Sequence, residues 1–372
     1  MVDLQGQYQN IQSQIDAKLN KVLTSAQFIN GDEVKAFQGD LENYLEVKHV
    51  IPCGNGTDAL QIAMMGLGLQ AGDEVITVDF TFAATVEVMA LLGLKPVLVD
   101  VYPDTFNMNI EALKKAITPK TKAIVPVHLF GQCANMEAIL ELAKEHNLHV
   151  IEDTAQAIGA DYRFKNGVSK KAGTMGIVGT TSFFPSKNLG AYGDGGALFT
   201  NDDKLAKKLR SIVNHGMSKR YYYDRLGVNS RLDTLQAAVL RIKLPLLDSY
   251  AKARQDAADF YDQAFADSDK ISTPKMSSFS SHVFHQYTLV LKDVNRDAIH
   301  EYLKENEIPN AIYYPVPLHE QEAYKHFKFD SSQLEVSKEL CKTVISLPMH
   351  TELDEEQLSY ITNTILEFID KV

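Results

Sequence analysis

The chain of 372 residues contains no tryptophan, only three cysteines and no long apolar run. Cys53, Cys133 and Cys341 are an odd number at wide spacing without a CxxC motif, so the sequence predicts neither a disulfide framework nor a thiolate metal site. No stretch approaches the roughly 18 apolar residues of a membrane span, and the first residues are too polar for a secretory signal. We therefore expect a cytoplasmic protein with no membrane contact.

Positive charge is also scarce, since 37 lysines and arginines face 48 aspartates and glutamates, for a net charge of −11. Without a basic run, a nucleic acid is excluded as a partner. The histidines are scattered and no HExxH motif occurs, so the sequence predicts no metal site. The 45% hydrophobic and 23% charged residues are typical of a globular chain of two or three structural units.

Helical and strand-like patterns alternate along the first two-thirds of the chain. We predict helices over residues 57–69, 84–92, 110–117 and 136–146, and strands over residues 74–78, 96–101, 123–127 and 150–153. Apolar strands that alternate with helices indicate an α/β fold with a mostly parallel sheet covered on both faces. We expect this large domain, with an N-terminal helical arm, over residues 1–245.

The pattern changes after residue 201. Residues 233–266 have helical spacing throughout, which predicts a long connecting helix. Residues 285–291 alternate like a strand. A smaller α+β domain is therefore expected over residues 246–372.

A glycine-rich turn at residues 54–58 precedes the first predicted helix of the α/β pattern. Backbone N–H groups at a helix N-terminus and the hydroxyl of Thr57 favour an anion, so the turn is a candidate phosphate site. Taken alone, an ordinary turn with a threonine cap is the simpler interpretation. The turn lacks the GK[ST] of a P-loop and the third glycine of a dinucleotide fingerprint, which excludes both of those classes.

Two further residues complete a chemical pattern. Asp153 ends a predicted buried strand, where open α/β sheets bind ligands, although for an isolated aspartate a helix N-cap is the more common explanation. Lys187 lies among aromatic residues and glycines, where a partly desolvated amine suits Schiff-base chemistry; a snorkelling loop lysine is the alternative. A phosphate turn, a carboxylate and a lysine are what a pyridine cofactor needs for its phosphate, ring nitrogen and aldehyde.

Eight stretches extend the pattern over essentially the whole chain. They are residues 53–60 (CGNGTDAL), 72–85, 127–132 (VHLFGQ), 151–160 (IEDTAQAIGA), 182–202, 214–216 (NHG), 227–238 (GVNSRLDTLQAA) and 313–319 (YYPVPLH). Through them the sequence resembles the DegT/DnrJ/EryC1/StrS family of pyridoxal-phosphate-dependent nucleotide-sugar aminotransferases. The resemblance implies the aspartate aminotransferase fold (fold type I).

The resemblance also implies pyridoxal 5′-phosphate as the cofactor and assigns the residues around its ring. Lys187 is the lysine that bonds the cofactor and then moves the proton. Asp153 pairs with the ring nitrogen, Gln156 lies near the ring hydroxyl, and Phe82 stacks on the ring.

The cofactor phosphate is assigned to a second group of residues. Gly56, Thr57 and Ser182 match the family's phosphate cup. Asn229 matches an asparagine that reaches the phosphate of the neighbouring subunit's cofactor. The resemblance therefore implies a homodimer with shared active sites.

Residues 183–197 and 227–238 look closest to enzymes that aminate C3 of UDP-2-acetamido-2-deoxy-3-keto-glucuronic acid, with L-glutamate as donor, for bacterial surface polysaccharides. Arg231 is the candidate cation for the uronate carboxylate, with a structural ion pair at the subunit interface as an equal alternative. Tyr313, Tyr314 and His319 are candidate substrate contacts in a loop that also suits plain packing. Relatives often have His-Tyr where this chain has Tyr313-Tyr314, which leaves the sugar open.

Three other functions compete. The first is amination of a neutral dTDP- or UDP-linked 3- or 4-keto-6-deoxy sugar. The second is the 3-dehydratase branch of the family, which Lys187 argues against because histidine replaces the lysine there. The third is a non-catalytic regulator that has kept the fold. The retained Asp153, Gln156 and Asn229 argue against it.

Overall fold

The structure is a computed structural model that describes residues 1–371. Its α-helices are α1 (Leu4–Ser25), α2 (Asp32–Leu45), α3 (Gly56–Leu67), α4 (Ala84–Leu91), α5 (Ile110–Ala116), α6 (Met136–Glu145), α7 (Asp203–Ile212), α8 (Thr234–Lys243), α9 (Leu247–Phe265), α10 (Arg296–Glu305), α11 (Glu335–Thr343) and α12 (Glu355–Ile369). Its strands are β1 (His49–Cys53), β2 (Glu74–Val78), β3 (Lys95–Val99), β4 (Thr121–Val125), β5 (His149–Asp153), β6 (Asp161–Arg163), β7 (Ser169–Lys171), β8 (Val178–Ser182), β9 (Gly196–Thr200), β10 (Met217–Lys219), β11 (Tyr222–Tyr223), β12 (Ile271–Ser272), β13 (Tyr287–Leu291) and β14 (Val344–Leu347).

Seven strands form the main sheet in the order β1-β9-β8-β5-β4-β2-β3. Strand β9 is antiparallel to its neighbours β1 and β8, and the remaining pairs are parallel. Along β2, Ile76 and Val78 pack into one apolar cluster and Val75 into another, because successive residues face opposite sides of a sheet. Helices therefore cover both faces, and the predicted α/β class with a mostly parallel sheet is confirmed.

All eight helices and strands predicted for the first two-thirds of the chain are present, with ends within two residues of the prediction. The prediction did not include β1, β8 or β9. In β8, Val178 is the one large apolar residue, so the strand has little hydrophobic pattern of its own. It is held by its pairing with β5 and β9.

The long connecting helix predicted over residues 233–266 is wrong. Helix α8 ends at Lys243, a 3₁₀ turn spans Leu244–Leu246, and α9 begins at Leu247. The turn contains Pro245, which has no N–H to donate and whose ring clashes with the carbonyl four residues earlier in an α-helix. The apolar spacing continues through this break, which is why the pattern alone did not indicate it.

A second, three-stranded antiparallel sheet lies in the C-terminal part of the chain, in the order β12-β13-β14. It shares an apolar core with α9, α10 and α12. Leu340 and Cys341 of α11 join the core under the main sheet instead, so the C-terminal part packs against the large sheet. The division into domains at residue 245 stays a prediction.

The N-terminal helix α1 lies against α8, where Ile11 and Ile15 bury their side chains with Val239. Among residues 1–371, no helix combines the length and the apolar character needed to cross a bilayer.

Candidate active site

A cavity of about 620 Å³ lies where the parallel strands of the main sheet reach their carboxyl ends. Its wall includes seven of the eight residues predicted to hold the cofactor, namely Gly56, Thr57, Phe82, Asp153, Gln156, Ser182 and Lys187. The predicted substrate contacts Tyr313 and Tyr314 lie in the same wall. The sheet therefore gathers residues that are far apart in sequence.

Asp153 is the last residue of β5 and is buried. One carboxylate oxygen, Oδ2, accepts a hydrogen bond from the Thr85 hydroxyl at 2.9 Å, and Oδ1 accepts one from the Ala155 N–H at 3.2 Å. Burial raises the pKa of Asp153, while these hydrogen bonds and the charge of Lys187 act in the opposite direction. Each oxygen keeps a lone pair for a further donor, which fits a protonated ring nitrogen.

Lys187 lies on the loop between β8 and β9, where its N–H donates to the carbonyl of Phe184 at 2.8 Å. Burial lowers the pKa of Lys187 to about 8, and the nearby carboxylate of Asp153 limits the decrease. A larger fraction of this amine is therefore neutral at pH 7 than for a solvated lysine. The neutral amine is the form that attacks an aldehyde.

Gln156 has a defined amide orientation. Its Oε1 accepts a hydrogen bond from the Phe130 N–H at 2.7 Å, and its Nε2 donates to the Tyr314 hydroxyl at 3.2 Å. Because Tyr314 accepts this bond, its own hydroxyl proton is available to an acceptor in the cavity. The contact also joins the tyrosine-rich loop to the strand end that carries Asp153.

Helix α3 begins at Gly56 beside Ser182. Asn55 caps the helix by accepting a hydrogen bond from the Asp58 N–H at 2.7 Å. The first two N–H groups of the helix, at Gly56 and Thr57, have no acceptor within residues 1–371 and are oriented for an anion. A Cβ atom on residue 56 would lie 2.7 Å from Ser182 Cβ, so only glycine allows the helix end to approach the serine hydroxyl. These groups fit a phosphate.

Asn229 and Arg231 do not line the cavity of their own chain. Asn229 is exposed, and Arg231 forms no ion pair with any of the described residues. Between them, Ser230 accepts a hydrogen bond from the Gly54 N–H at 2.8 Å and donates to Asp58 at 2.6 Å. This segment thus borders the helix end, while the predicted roles of Asn229 and Arg231 stay predictions.

His319 also lies outside the cavity wall. Its Nδ1 donates to the buried carboxylate of Asp79 at 2.6 Å, and its backbone N–H donates to the same carboxylate at 2.9 Å. Asp79 follows directly on β2, so the pair fastens the C-terminal side of the tyrosine-rich loop to the sheet. The structure gives His319 this supporting contact, and its predicted role at the substrate stays a prediction.

Among the cavity-wall residues that the sequence analysis did not single out, Thr85 and His285 bear most directly on Asp153 and Lys187. Thr85 hydrogen-bonds Asp153, and its hydroxyl at the start of α4 was the available signal. His285 is buried in the wall, and burial together with the charges of Lys187 and Arg254 lowers its pKa well below the usual value. The sequence placed His285 only at the start of a strand, because its proximity to Lys187 depends on the packing of distant segments.

The cavity combines a lysine of lowered pKa, a buried carboxylate and a helix N-terminus with free N–H groups for a phosphate. This combination is typical of enzymes that use a pyridine-aldehyde cofactor. The chain belongs to the DegT/DnrJ/EryC1/StrS aminotransferase family, whose model matches residues 9–366.

Individual relatives agree with this assignment. The chain is 47% identical over 370 residues to the "Pleiotropic regulatory protein" of Geobacillus stearothermophilus, covering 99% of this chain and 98% of the relative. It is 45% identical over 360 residues to the UDP-2-acetamido-2-deoxy-3-oxo-D-glucuronate aminotransferase of Pseudomonas aeruginosa, covering 97% of each chain. The X-ray structure of S. venezuelae DesV in complex with a ketimine intermediate matches with a TM-score of 0.95 at 36% identity, over 100% of this chain and 98% of that one.

The chain is therefore a pyridoxal-phosphate-dependent nucleotide-sugar aminotransferase with the predicted aspartate aminotransferase fold. Membership of an aminotransferase family favours an enzyme over a non-catalytic protein that has kept the fold. When bound, the cofactor supplies an electron-accepting ring that stabilises the carbanion formed at the amino donor. The cavity wall fits this group at its phosphate, its ring nitrogen and its aldehyde.

Proposed function

We propose that the chain transfers the amino group of L-glutamate to C3 of UDP-2-acetamido-2-deoxy-3-keto-glucuronic acid, on a route to bacterial surface polysaccharides. The cavity that holds Lys187 opposite Asp153 carries the proposal for the transfer itself. The relative from P. aeruginosa, which is named for this sugar, supports the choice of substrate. Three buried cysteines, all unpaired, support action in a reducing cytoplasm.

In this proposal Lys187 bonds the cofactor at rest. Once the amino donor is bound, the free amine of Lys187 would take the proton from the donor's α-carbon and would supply a proton to the cofactor. Asp153 hydrogen-bonds the ring nitrogen and keeps it protonated, and Phe82 packs on the ring. Gln156 orients Tyr314, whose free hydroxyl proton faces the cavity.

The phosphate-binding part of the proposal uses backbone as well as side chains. The free N–H groups of Gly56 and Thr57 and the hydroxyl of Ser182 bind the cofactor phosphate. Asn229 completes this site in the neighbouring subunit.

Two surfaces that one chain leaves uncovered support the proposed homodimer. At the cavity mouth, Phe82 is 59% and Phe184 51% exposed. On the hairpin formed by β10 and β11, Tyr222 is 63% exposed, and nearby Leu226 is 88% exposed. Aromatic residues are enriched in protein interfaces, and a second copy of the chain buries these side chains while bringing Asn229 to the cavity.

The choice between an acidic and a neutral sugar depends on one cation. Within residues 1–371 no arginine lines the cavity, whose charged wall contains Asp58, Asp153, Asp194 and Lys187. A uronate carboxylate therefore needs a cation from outside this wall. Arg231 fits the requirement because it has no ion pair in its own chain and lies two residues from Asn229.

A neutral nucleotide-linked 3- or 4-keto sugar is the second candidate. The absence of arginine from the described cavity wall favours it, as does Tyr313 at a position where relatives often have histidine. For such a substrate Arg231 acts only as part of the subunit interface.

The first experiment follows the amino-donor half-reaction. Purified protein loaded with pyridoxal 5′-phosphate is mixed with L-glutamate, and its absorption spectrum and 2-oxoglutarate release are measured. We expect the visible band of the lysine-bound cofactor to convert to the pyridoxamine band with stoichiometric 2-oxoglutarate. Lys187→Ala is the control and should show neither change. Conversion in Lys187→Ala at the wild-type rate would overturn the role of this lysine, and a wild-type band that ignores glutamate would overturn the donor.

The second experiment compares kcat/KM of Arg231→Ala on the 3-keto uronate and on the matching neutral 3-keto sugar. A lost charge-assisted contact should lower the value for the uronate by about 10–150-fold and leave the neutral sugar nearly unchanged. Arg163→Ala, at an exposed arginine away from the cavity, controls for the loss of a positive charge. Equal losses on both sugars would favour the neutral-sugar alternative.

A further inference from the structure

Lys243 is the last residue of α8 and is only 1% exposed. Its ammonium donates a hydrogen bond to the Gly190 carbonyl at 2.9 Å and lies 4.5 Å from the centre of the Tyr192 ring. No carboxylate among residues 1–371 pairs with it. Burial of an ammonium without a counter-ion is costly, so a purely structural filler at this position is expected to be apolar.

The buried charge acts on a backbone carbonyl and an aromatic face. Burial lowers the pKa of Lys243 to about 8, so the group is mostly protonated at neutral pH. Protonation strengthens its bond to the Gly190 carbonyl and its attraction to the Tyr192 ring. Behind Tyr192, the ring of Tyr8 from α1 lies 6.1 Å away, so the N-terminal helix supports the same contact.

Gly190 connects this contact to Lys187. A Cβ on residue 190 would lie 2.2 Å from the Pro185 carbonyl oxygen and 3.1 Å from that of Phe184, so the glycine packs directly on the turn before Lys187. The Phe184 carbonyl accepts the hydrogen bond from the Lys187 N–H. A shift of Gly190 therefore moves the turn that sets the position of Lys187.

We propose that Lys243 is a positioning residue, which holds Gly190 and thereby keeps the amine of Lys187 in reach of the cofactor aldehyde. The proposal rests on the proposed role of Lys187 and adds a residue outside the cavity to it. Lys243 does not line the cavity.

The test uses Lys243→Met, which keeps the length of the side chain and removes the donor. Lys171→Met is the matched control. Lys171 also donates a hydrogen bond to a glycine carbonyl, that of Gly159 at 3.4 Å, and its ammonium lies 5.3 Å from the centre of the Tyr44 ring. The segment that contains Gly159 does not carry Lys187. Lys171 also pairs with Asp161.

Two readouts separate positioning from damage to the cavity. The first is the rate at which cofactor-free protein forms the visible band with pyridoxal 5′-phosphate, a reaction in which the lysine nitrogen bonds the aldehyde carbon and water leaves. The second is the affinity for pyridoxamine 5′-phosphate, which fills the same cavity but cannot bond a lysine. Steady-state kcat and KM and the melting temperature complete the set.

We expect Lys243→Met to slow band formation and lower kcat by about 10- to 100-fold, because a misplacement near 1 Å has a cost of that order. The affinity for pyridoxamine 5′-phosphate and KM should stay near wild type, and Lys171→Met should change none of these values. Wild-type rates in Lys243→Met, or a parallel loss of pyridoxamine 5′-phosphate affinity, would overturn the proposal.

If Lys243→Met is not obtained as folded protein, Tyr192→Leu decides, because it removes the aromatic face and leaves the Gly190 bond. A smaller slowing of the same kind supports the proposal, and wild-type band formation overturns it. The result for Lys187→Ala is separate: a band that survives there refutes the proposed function and this inference together. If Lys187→Ala forms no band but Lys243→Met forms it at the wild-type rate, only this inference is refuted.

Discussion

The cavity wall and the hairpin of β10 and β11 differ in how their side chains are held. In the wall, Asp153 accepts hydrogen bonds from Thr85 of a distant segment and from the nearby Ala155 N–H, and Gln156 hydrogen-bonds two other segments through Phe130 and Tyr314. On the hairpin, Tyr221, Tyr222 and Tyr223 are each more than half exposed, with no other segment over them. The chain thus builds the cofactor side of its site alone, and it leaves an aromatic surface and Asn229 outside.

This difference separates two kinds of function. Groups that need a fixed position relative to the cofactor lie at strand ends, where the sheet determines their spacing. The hairpin belongs to the connection between α7 and α8, whose two ends are joined by the bridge between Asn214 and Asn229, while its three tyrosines are exposed. Three changes test the comparison, in order of decreasing expected effect.

The largest effect is expected for Asp153→Asn in the cavity wall. The amide keeps the size of the side chain but removes the charge that, in the proposed function, holds a proton on the ring nitrogen. We expect kcat to fall by about 10²–10³-fold, as for the loss of one electrostatic group in an active site. Single-turnover kinetics with L-glutamate measure it. Thr85→Val, which removes one hydrogen bond to Asp153 and leaves its charge, should have a much smaller effect; equal effects would contradict the electrostatic role.

A smaller effect is expected for Tyr222→Asp on the hairpin. If a second chain covers this surface, the buried carboxylate should raise the dimer dissociation constant by at least about 30-fold, the ~2 kcal/mol of an interfacial hot spot. Activity per chain should fall with dilution in step with the dimer fraction. Sedimentation velocity and activity assays over the same concentrations measure both. Tyr360→Asp, at a half-exposed tyrosine of α12, should leave the dimer intact.

The smallest effect concerns pH and Lys187 alone. With the pKa of Lys187 lowered to about 8, the neutral amine fraction rises about fivefold between pH 7 and pH 8 and changes little above pH 9. Band formation with pyridoxal 5′-phosphate in cofactor-free protein should follow the same curve in stopped-flow experiments. Because the charge of Asp153 raises the pKa of Lys187, Asp153→Asn should shift the curve to lower pH. A rate that keeps rising to pH 10 would mean that Lys187 is solvated.

The sequence predicted those parts of the site that local motifs define. Gly56, Asp153 and Lys187 lie in one cavity, as the motifs around them predicted, because all three are at or just beyond the ends of strands of the same sheet. Burial of Lys243 could not be predicted, since in its own helix it occupies an ordinary C-terminal position for a basic residue. Only the approach of a loop some 50 residues earlier in the chain turns its amine toward the Gly190 carbonyl.

The same limit explains the errors in the fold. The apolar spacing of residues 233–266 stays helical throughout, although Pro245 interrupts the helix. Strand β8 lacks a hydrophobic pattern because glycine and threonines fill it, and its neighbours define it. His319 matched a motif, but the motif could not show that Asp79 binds its imidazole.

The pairing of β1 with β9 has a consequence for the order of folding. Strand β1 forms the edge of the main sheet and is bonded only to β9, so Val50 finds its partner Phe199 about 150 positions later in the chain. Helix α3 directly follows β1, so the strand that leads into this helix takes its place in the sheet only when that pairing forms. During synthesis, the phosphate-binding helix end is therefore completed only after the segment with Lys187 has left the ribosome. Contacts of such long range slow folding and leave strand edges open meanwhile, so nascent chains stopped before residue 200 should be prone to aggregation.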